Sequence, residues 1–213
     1  YGLMLRSGND AAAALALTVA GSLPAFTAQM NEKAARLGLT QTHFANPHGL
    51  DDEENYSTAR DLALLTRAAL QNPTFRAVVS TKSVTAAGRT LTNHNKLLWQ
   101  YPGAIGVKTG YTKAAGRCLA FAAEREGMTL IGVVLHCPDW FNQAAALLDW
   151  GFDHWQMVTL LAEGETVRQV PVDHGAKAQV AVVTGADLAA PVGVNAWPDL
   201  LIELPSSLPA GIQ

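Results

Sequence analysis

Two short polar clusters carry the chemistry open to this chain: Lys108-Thr109-Gly110 and, roughly 100 residues earlier, Ser7-Gly8-Asn9. Lysine brings a full positive charge, threonine a hydroxyl donor, and glycine no side chain to block a ligand. Together they form a compact anion-binding edge. A hydroxyl and a carboxamide two positions apart, as in Ser7 and Asn9, can face one cleft from a loop.

Each cluster also has a plain structural reading. Ser, Asn and Asp are favoured helix caps, so Ser7-Gly8-Asn9 in isolation reads as a cap. Ile105, Val107 and Thr109 alternate with Gly106, Lys108 and Gly110, the pattern of a strand that could be an edge strand with a solvated lysine. A phosphate-binding loop is excluded: it needs Gly directly before Lys, and Val107 stands there.

The elements that would position these clusters follow from pattern. Tyr1 to Leu5 reads as the end of a helix, and Asp10 to Ala20 as the next. Pro24 opens another through Gln29 and Lys33, stopping near Gly38. Phe44 to Asp51 is dense in turn formers. Thr58-Ala59-Arg60-Asp61 is a capping box in which Thr58 caps and Asp61 reaches back. Leu62, Leu65 and Ala69 follow at helical spacing to Asn72-Pro73, and a short helix runs from Pro73 to Val79. Alternation from Lys82 to Leu91 around Ala87-Gly88-Arg89 predicts a hairpin. After the Lys-Thr-Gly strand, strands at Arg117–Ala123 and Met128–His136 flank a turn at Glu126-Gly127. A helix from Phe141 to Trp150 follows, with Ala145, Leu148 and Phe152 facing inward. Beyond about Trp155 the helical pattern gives way to short strands at Thr166–Val172, Ala178–Thr184 and Leu200–Leu204. The expected organisation is therefore residues 1–155 as one domain and 156–213 as an incomplete β-rich one.

Composition narrows the class. Of 213 residues, 49% are hydrophobic and 15% charged, so a sizeable core is expected rather than disorder. A net charge of −3 without a Lys/Arg cluster argues against nucleic acid. Cys118 and Cys137, on consecutive expected strands, are too few for a disulfide framework and read as buried free thiols. No apolar run reaches the 18 residues of a membrane span. The six histidines lack metal-ligand spacing, and no metal or cofactor is expected. Trp99, Trp140, Trp150, Trp155 and Trp197 are expected in the core or at a domain interface. The opening at Tyr1, without an initiator Met or signal peptide, reads as a piece of a longer protein.

Several stretches together carry a resemblance. They are Leu3-Met4-Leu5-Arg6-Ser7-Gly8-Asn9-Asp10-Ala11-Ala12, Phe44-Ala45-Asn46-Pro47-His48-Gly49-Leu50, Tyr56-Ser57-Thr58-Ala59-Arg60-Asp61-Leu62 and Asn95-Lys96-Leu97-Leu98-Trp99. They continue through Gly106-Val107-Lys108-Thr109-Gly110-Tyr111-Thr112 and Leu148-Asp149-Trp150-Gly151-Phe152. In this order and rough spacing they resemble the serine-type D-alanyl-D-alanine carboxypeptidases, the low-molecular-mass penicillin-binding proteins. The resemblance implies an α/β (α+β) fold: a penicillin-binding/β-lactamase-like transpeptidase domain with an antiparallel sheet and helices, followed by a partial β-rich domain.

It also implies roles. In that family a Ser-x-x-Lys motif supplies the nucleophile and its base. This chain holds no plausible copy, and the family's order puts it before Tyr1. Ser7 would relay a proton between the base and the departing D-Ala nitrogen, and Asn9 would bond the acyl side of the substrate. Lys108 would supply positive potential and Thr109 would donate to the terminal carboxylate. Gly110 would keep the strand edge open, and the Tyr111 N–H would be an oxyanion donor. His94 stands where some relatives carry a basic residue; it could help bind the carboxylate or be a surface residue. His48 reads as loop packing.

The implied substrate is a peptidoglycan stem peptide ending in D-Ala-D-Ala, with β-lactams as inhibitors. The implied setting is the outer face of a bacterial cytoplasmic membrane or the periplasm, any membrane attachment lying outside the chain. Two other readings stand beside it. A class A-like β-lactamase would share Lys-Thr-Gly but need an Ω-loop Glu, for which Glu53-Glu54 is in a less fitting context. A non-catalytic peptidoglycan-binding role is the other, because the nucleophile is absent.

Overall fold

Punctuation residues set most element ends. The computed structural model describes residues 1–196 and 198–209, in two compact units: Tyr1–Arg125 with Thr129–Gly151, and Glu126–Met128 with the chain from Phe152 on. Helix α1 (Gly2–Arg6) ends at Ser7, whose φ of 53° is left-handed, and α2 (Asn9–Ala20) ends at left-handed Gly21. Ser22 accepts from the Ala25 N–H at the start of α3 (Leu23–Arg36), with Pro24 in its first turn. Among the described residues no single helix is long and apolar enough to cross a membrane.

The 44–51 loop is irregular, as expected, and side chains fix it. Asn31 clamps Phe44 through both its amide atoms, at 2.9 and 2.8 Å. Asn46 accepts from the Gly49 N–H at 2.7 Å, and the His48 ring accepts from the Leu50 N–H at 3.3 Å. His48 thus packs the loop.

Thr58 caps α4 (Ala59–Leu70) by accepting from the Asp61 N–H. The capping box is only half made, however. The Asp61 carboxylate, 2% exposed, turns away and accepts from the Gln41 N–H and the Thr42 hydroxyl. A buried carboxylate gains more from two such donors than from one cap N–H. The stripe that α4 buries is Asp61, Thr66 and Leu70; Leu62, Leu65 and Ala69 are only half-buried. Thr66 is tolerated there because its hydroxyl donates to the Leu62 carbonyl at 2.7 Å. Asn72 caps α5 (Pro73–Ser80).

Strands β1 (Ser83–Ala86) and β2 (Arg89–Thr92) form the expected antiparallel hairpin around Ala87 and Gly88. A single turn, α6 (Leu97–Gln100), leads to the central sheet of the first unit. Its order is β3 (Ala104–Thr112), β4 (Gly116–Arg125), β5 (Met128–Val134), so β3 lies at an edge among the described residues. Val79, Val107, Leu70 and Ala122 make a core cluster between α4, α5 and this sheet.

Phe121, 1% exposed, lies against Gly132, where a β-carbon would sit 2.2 Å from its Cζ. Backbone in a sheet yields little to such a clash. Gly132→Ala is therefore expected to lower unfolding free energy by about 1–3 kcal/mol in a denaturant titration.

Helix α7 (Trp140–His154) is longer than expected at both ends, and its buried stripe is Ala144, Leu148 and Gly151. Ala145 and Phe152 are half-buried instead. Gly151 is on that stripe because Leu130 approaches it closely. Cys118 and Cys137 are free but half-buried rather than buried, and Cys137 lies past the end of β5. The tryptophans depart most from expectation. Trp99, Trp150 and Trp155 are 48%, 56% and 43% exposed, and Trp140 lines a cleft. Trp197 lies outside the described residues.

In the second unit β6 (Trp155–Leu161) pairs antiparallel with a strand at Leu188–Gly193. Between them β7 (Thr166–Asp173) pairs antiparallel with β8 (Gln179–Val183), and β9 is the Leu188–Gly193 strand. A two-residue β10 (Leu208–Pro209) runs parallel to β7. The expected strand at Leu200–Leu204 is irregular chain, with Leu201 84% exposed. Among the described residues its alternation finds no ladder partner, whereas Leu188–Gly193, with its Ala, Pro and Gly, does.

Candidate active site

The Lys-Thr-Gly strand is set in place by α5. Gly106 has a φ of +149°, and a β-carbon there would press on the Val79 side chain at 3.0 Å. Glycine lets α5 lie directly on β3. The C-terminal end of α5 in turn holds the other wall. The Asn93 amide donates to the carbonyls of Val79 and Thr81 at 3.2 and 3.0 Å, and its oxygen accepts from the Asn95 N–H at 2.9 Å. The His94 N–H then donates to the Leu5 carbonyl at 3.0 Å, and the Arg6 guanidinium to the Thr92 carbonyl at 3.3 Å. Those two bonds fix α1, and so the residue that ends it.

That residue is Ser7. Lys108 Nζ donates to Ser7 Oγ, across 101 positions of chain, and to the Thr109 carbonyl at 2.6 Å. Ser7 is the C-cap of α1, while Gly8, not Ser7, is the N-cap of α2; the Ser7 hydroxyl meets Lys108 instead. A non-glycine residue at φ 53° is uncommon, and such positions gather at functional sites.

Burial lowers the Lys108 pKa to about 8. An ammonium that loses its proton near neutrality can take part in proton transfer as well as bind anions. The His94 imidazole is also held below its ordinary value, first by burial, then by the Arg6 and Lys108 charges.

A cleft of about 810 Å³ opens beside this pair. Ser7, His94, Thr109, Gly110 and Tyr111 all line it, so five of the seven residues singled out in sequence face one space. Lys108 reaches Ser7 from the cleft margin. Asn9 stands apart: it opens α2, is exposed, and is outside the lining. Thr109 is 8% exposed and Tyr111 67%. A β-carbon at Gly110 would meet nothing nearer than 3.9 Å, so the strand itself leaves the room and glycine only adds to it.

Sequence reading missed other residues that line the cleft, among them Arg117, Asp139, Trp140, Phe141 and Asn142. One signal was present. Counting back through the turn after Thr112 places Arg117 opposite Tyr111, the pairing observed. Among the described residues no group of three His, Cys, Asp or Glu side chains could hold a metal ion.

Comparison with known proteins gives this geometry a context. Residues 1–139 match the D-alanyl-D-alanine carboxypeptidase family. D-alanyl-D-alanine carboxypeptidase DacB2 of Mycobacterium tuberculosis is 42% identical over 163 residues, covering 71% of this chain and 56% of the relative. The D-alanyl-D-alanine carboxypeptidase of Streptomyces sp. strain K15 is 43% identical over 171 residues, covering 71% and 59%. Penicillin binding protein 5 of Haemophilus influenzae superposes with a TM-score of 0.77 at 33% identity, over 91% of this chain and 58% of that one. The chain spans about half the length of the curated relatives it matches. With Ser7 bonded to Lys108 at the head of a cleft, and with a match over residues 1–139, the chain belongs to the D-alanyl-D-alanine carboxypeptidase family.

Proposed function

We propose that the protein removes the terminal D-Ala from peptidoglycan stem peptides through a serine acyl-enzyme, outside the cytoplasmic membrane of a bacterium, and that β-lactams acylate it. The observation that carries this reading is the Lys108–Ser7 hydrogen bond at the edge of an open strand. The peptide lies along β3 like an added strand. Its terminal carboxylate meets the Thr109 hydroxyl and the Lys108 ammonium, and its scissile carbonyl oxygen meets the Tyr111 N–H.

The nucleophile is the serine of a Ser-x-x-Lys segment outside residues 1–213, which themselves contain no such motif. Its hydroxyl oxygen bonds to the carbonyl carbon and its proton passes to that segment's lysine. Ser7 passes a proton on to the D-Ala nitrogen as the C–N bond breaks. Water then hydrolyses the ester, restoring the serine. The first unit carries this chemistry.

A fluorescent penicillin is expected to label the full-length protein covalently and slowly reversibly, at the Ser-x-x-Lys serine. Peptide mapping of the adduct checks the site. A folded full-length protein that takes no label, or takes it elsewhere, would end this reading; rapid turnover of the label would favour a β-lactamase.

A further inference from the structure

The cleft has a side pocket that the carboxypeptidase reaction as described leaves unused. It encloses about 180 Å³ and is lined by Tyr111, Gly116, Arg117, His136 and Pro138. Tyr111, Arg117 and Pro138 also line the main cleft, so the two spaces meet there. Its polar lining offers two side-chain donors, a guanidinium and a phenol, beside an imidazole ring.

Arg117 is held rather than loose. Its Nη1 donates to the Pro138 carbonyl at 2.9 Å, and its guanidinium lies over the Trp140 ring, 6.0 Å from the centroid. One of five N–H donors is thereby used, leaving others for a planar anion. Among the described residues no carboxylate forms an ion pair with it. Asp139, the acidic residue of the cleft wall, accepts from the Asn142 amide at 2.9 Å. The opposite side of the pocket is equally built. His136 Nδ1 lies 3.1 Å from the Ala115 carbonyl, which can only accept, so Nδ1 carries the hydrogen and this bond fixes the ring as one wall of the pocket; the donors left for an anion are Arg117 and the Tyr111 hydroxyl. Gly116, at φ +67°, is what admits the ring: a β-carbon there would sit 2.8 Å from His136 Nδ1.

The pocket is distinct from the terminal-carboxylate position. Arg117 pairs with Tyr111, while Thr109 pairs with Leu119, two residues along β4. That is about 7 Å along the strand. The guanidinium is drawn further away, toward Pro138, next to Cys137, whose N–H donates to the Arg117 carbonyl at 2.8 Å. If the scissile carbonyl lies at the Tyr111 N–H and the terminal carboxylate at Thr109, the pocket is on the acyl side of the cleaved bond.

We propose that the Tyr111–Arg117–His136 pocket binds a second carboxylate of the substrate, carried by the peptide N-terminal to the bond that is cleaved. The substrate class is then an acidic stem peptide with that carboxylate free rather than amidated. The proposal rests on the carboxypeptidase reading, and its test separates the two.

Two acetylated peptides ending in D-Ala-D-Ala are compared on the full-length protein, with D-Ala release measured. They differ only in whether the preceding side chain ends in a carboxylate or a carboxamide. The carboxylate peptide is expected to have a kcat/KM about tenfold higher at low salt, the ratio falling as salt is raised. In Arg117→Gln the ratio falls toward one, with thermal melting reporting whether that variant folds. If it does not fold, the wild-type ratio and its salt dependence decide alone. Equal kcat/KM for the two peptides in wild type, or an undiminished ratio in folded Arg117→Gln, overturns the pocket's role and leaves the carboxypeptidase standing. Release of D-Ala from neither peptide overturns both.

Discussion

Replacing Lys108 by alanine is expected to lower kcat/KM for a D-Ala-D-Ala peptide by about a thousandfold in the full-length protein. Two functions leave together. In the proposed pose the ammonium meets the terminal carboxylate beside Thr109, and it is the group that holds Ser7 Oγ by a hydrogen bond. Loss of the first weakens binding and raises KM; loss of the second frees the Ser7 hydroxyl to rotate and lowers kcat. Glutamine keeps length without charge and should restore little. A pH profile identifies the group. Burial puts the Lys108 pKa at about 8. The ammonium is therefore intact below that pH and lost as pH rises through it, so wild-type kcat/KM falls on the alkaline side near pH 8. That limb should be missing from the residual activity of Lys108→Ala. An unchanged alkaline limb in the variant would assign it to another group and remove Lys108 from the reaction.

The sequence and the structure agree where local chemistry decides. Asn72-Pro73 and Thr58 mark helix starts because Asn72 and Thr58 each satisfy backbone N–H groups within a turn of themselves. Ala87-Gly88 marks a hairpin because both take positive φ. Ser7 and Lys108 were legible as residue types before anything placed them together. What escaped was set by partners distant in the chain. Asp61 abandons its own helix end for Gln41 and Thr42. Leu188–Gly193 is a strand because β6 offers it a ladder, and Leu200–Leu204 is not, because among the described residues nothing does. Trp140 was expected in the core or at a domain interface, yet it lines a cleft with Arg117 over its ring. Register, not composition, brings Arg117 to Tyr111.

Ser7 offers the sharpest separation of fold from chemistry. Ser7→Ala removes one exposed hydroxyl that caps nothing, so its stability is expected to stay near wild type. Its kcat should nevertheless fall by about 10²–10⁴, the range for loss of a positioned proton-transfer group, with KM changed far less than in Lys108→Ala. Lys108 Nζ keeps its bond to the Thr109 carbonyl, and so its place by the carboxylate. Ser7→Gly sharpens the contrast. At φ 53° an L side chain costs about 1 kcal/mol that glycine does not, so this variant should melt slightly higher than wild type while losing as much activity. The double variant Ser7→Ala with Lys108→Ala should be hardly worse than Lys108→Ala alone, because once the lysine is gone the hydroxyl has no fixed direction. Additive losses would mean that the two residues act independently. A Ser7→Gly protein that is both more stable and fully active would mean that the left-handed serine serves only to end α1.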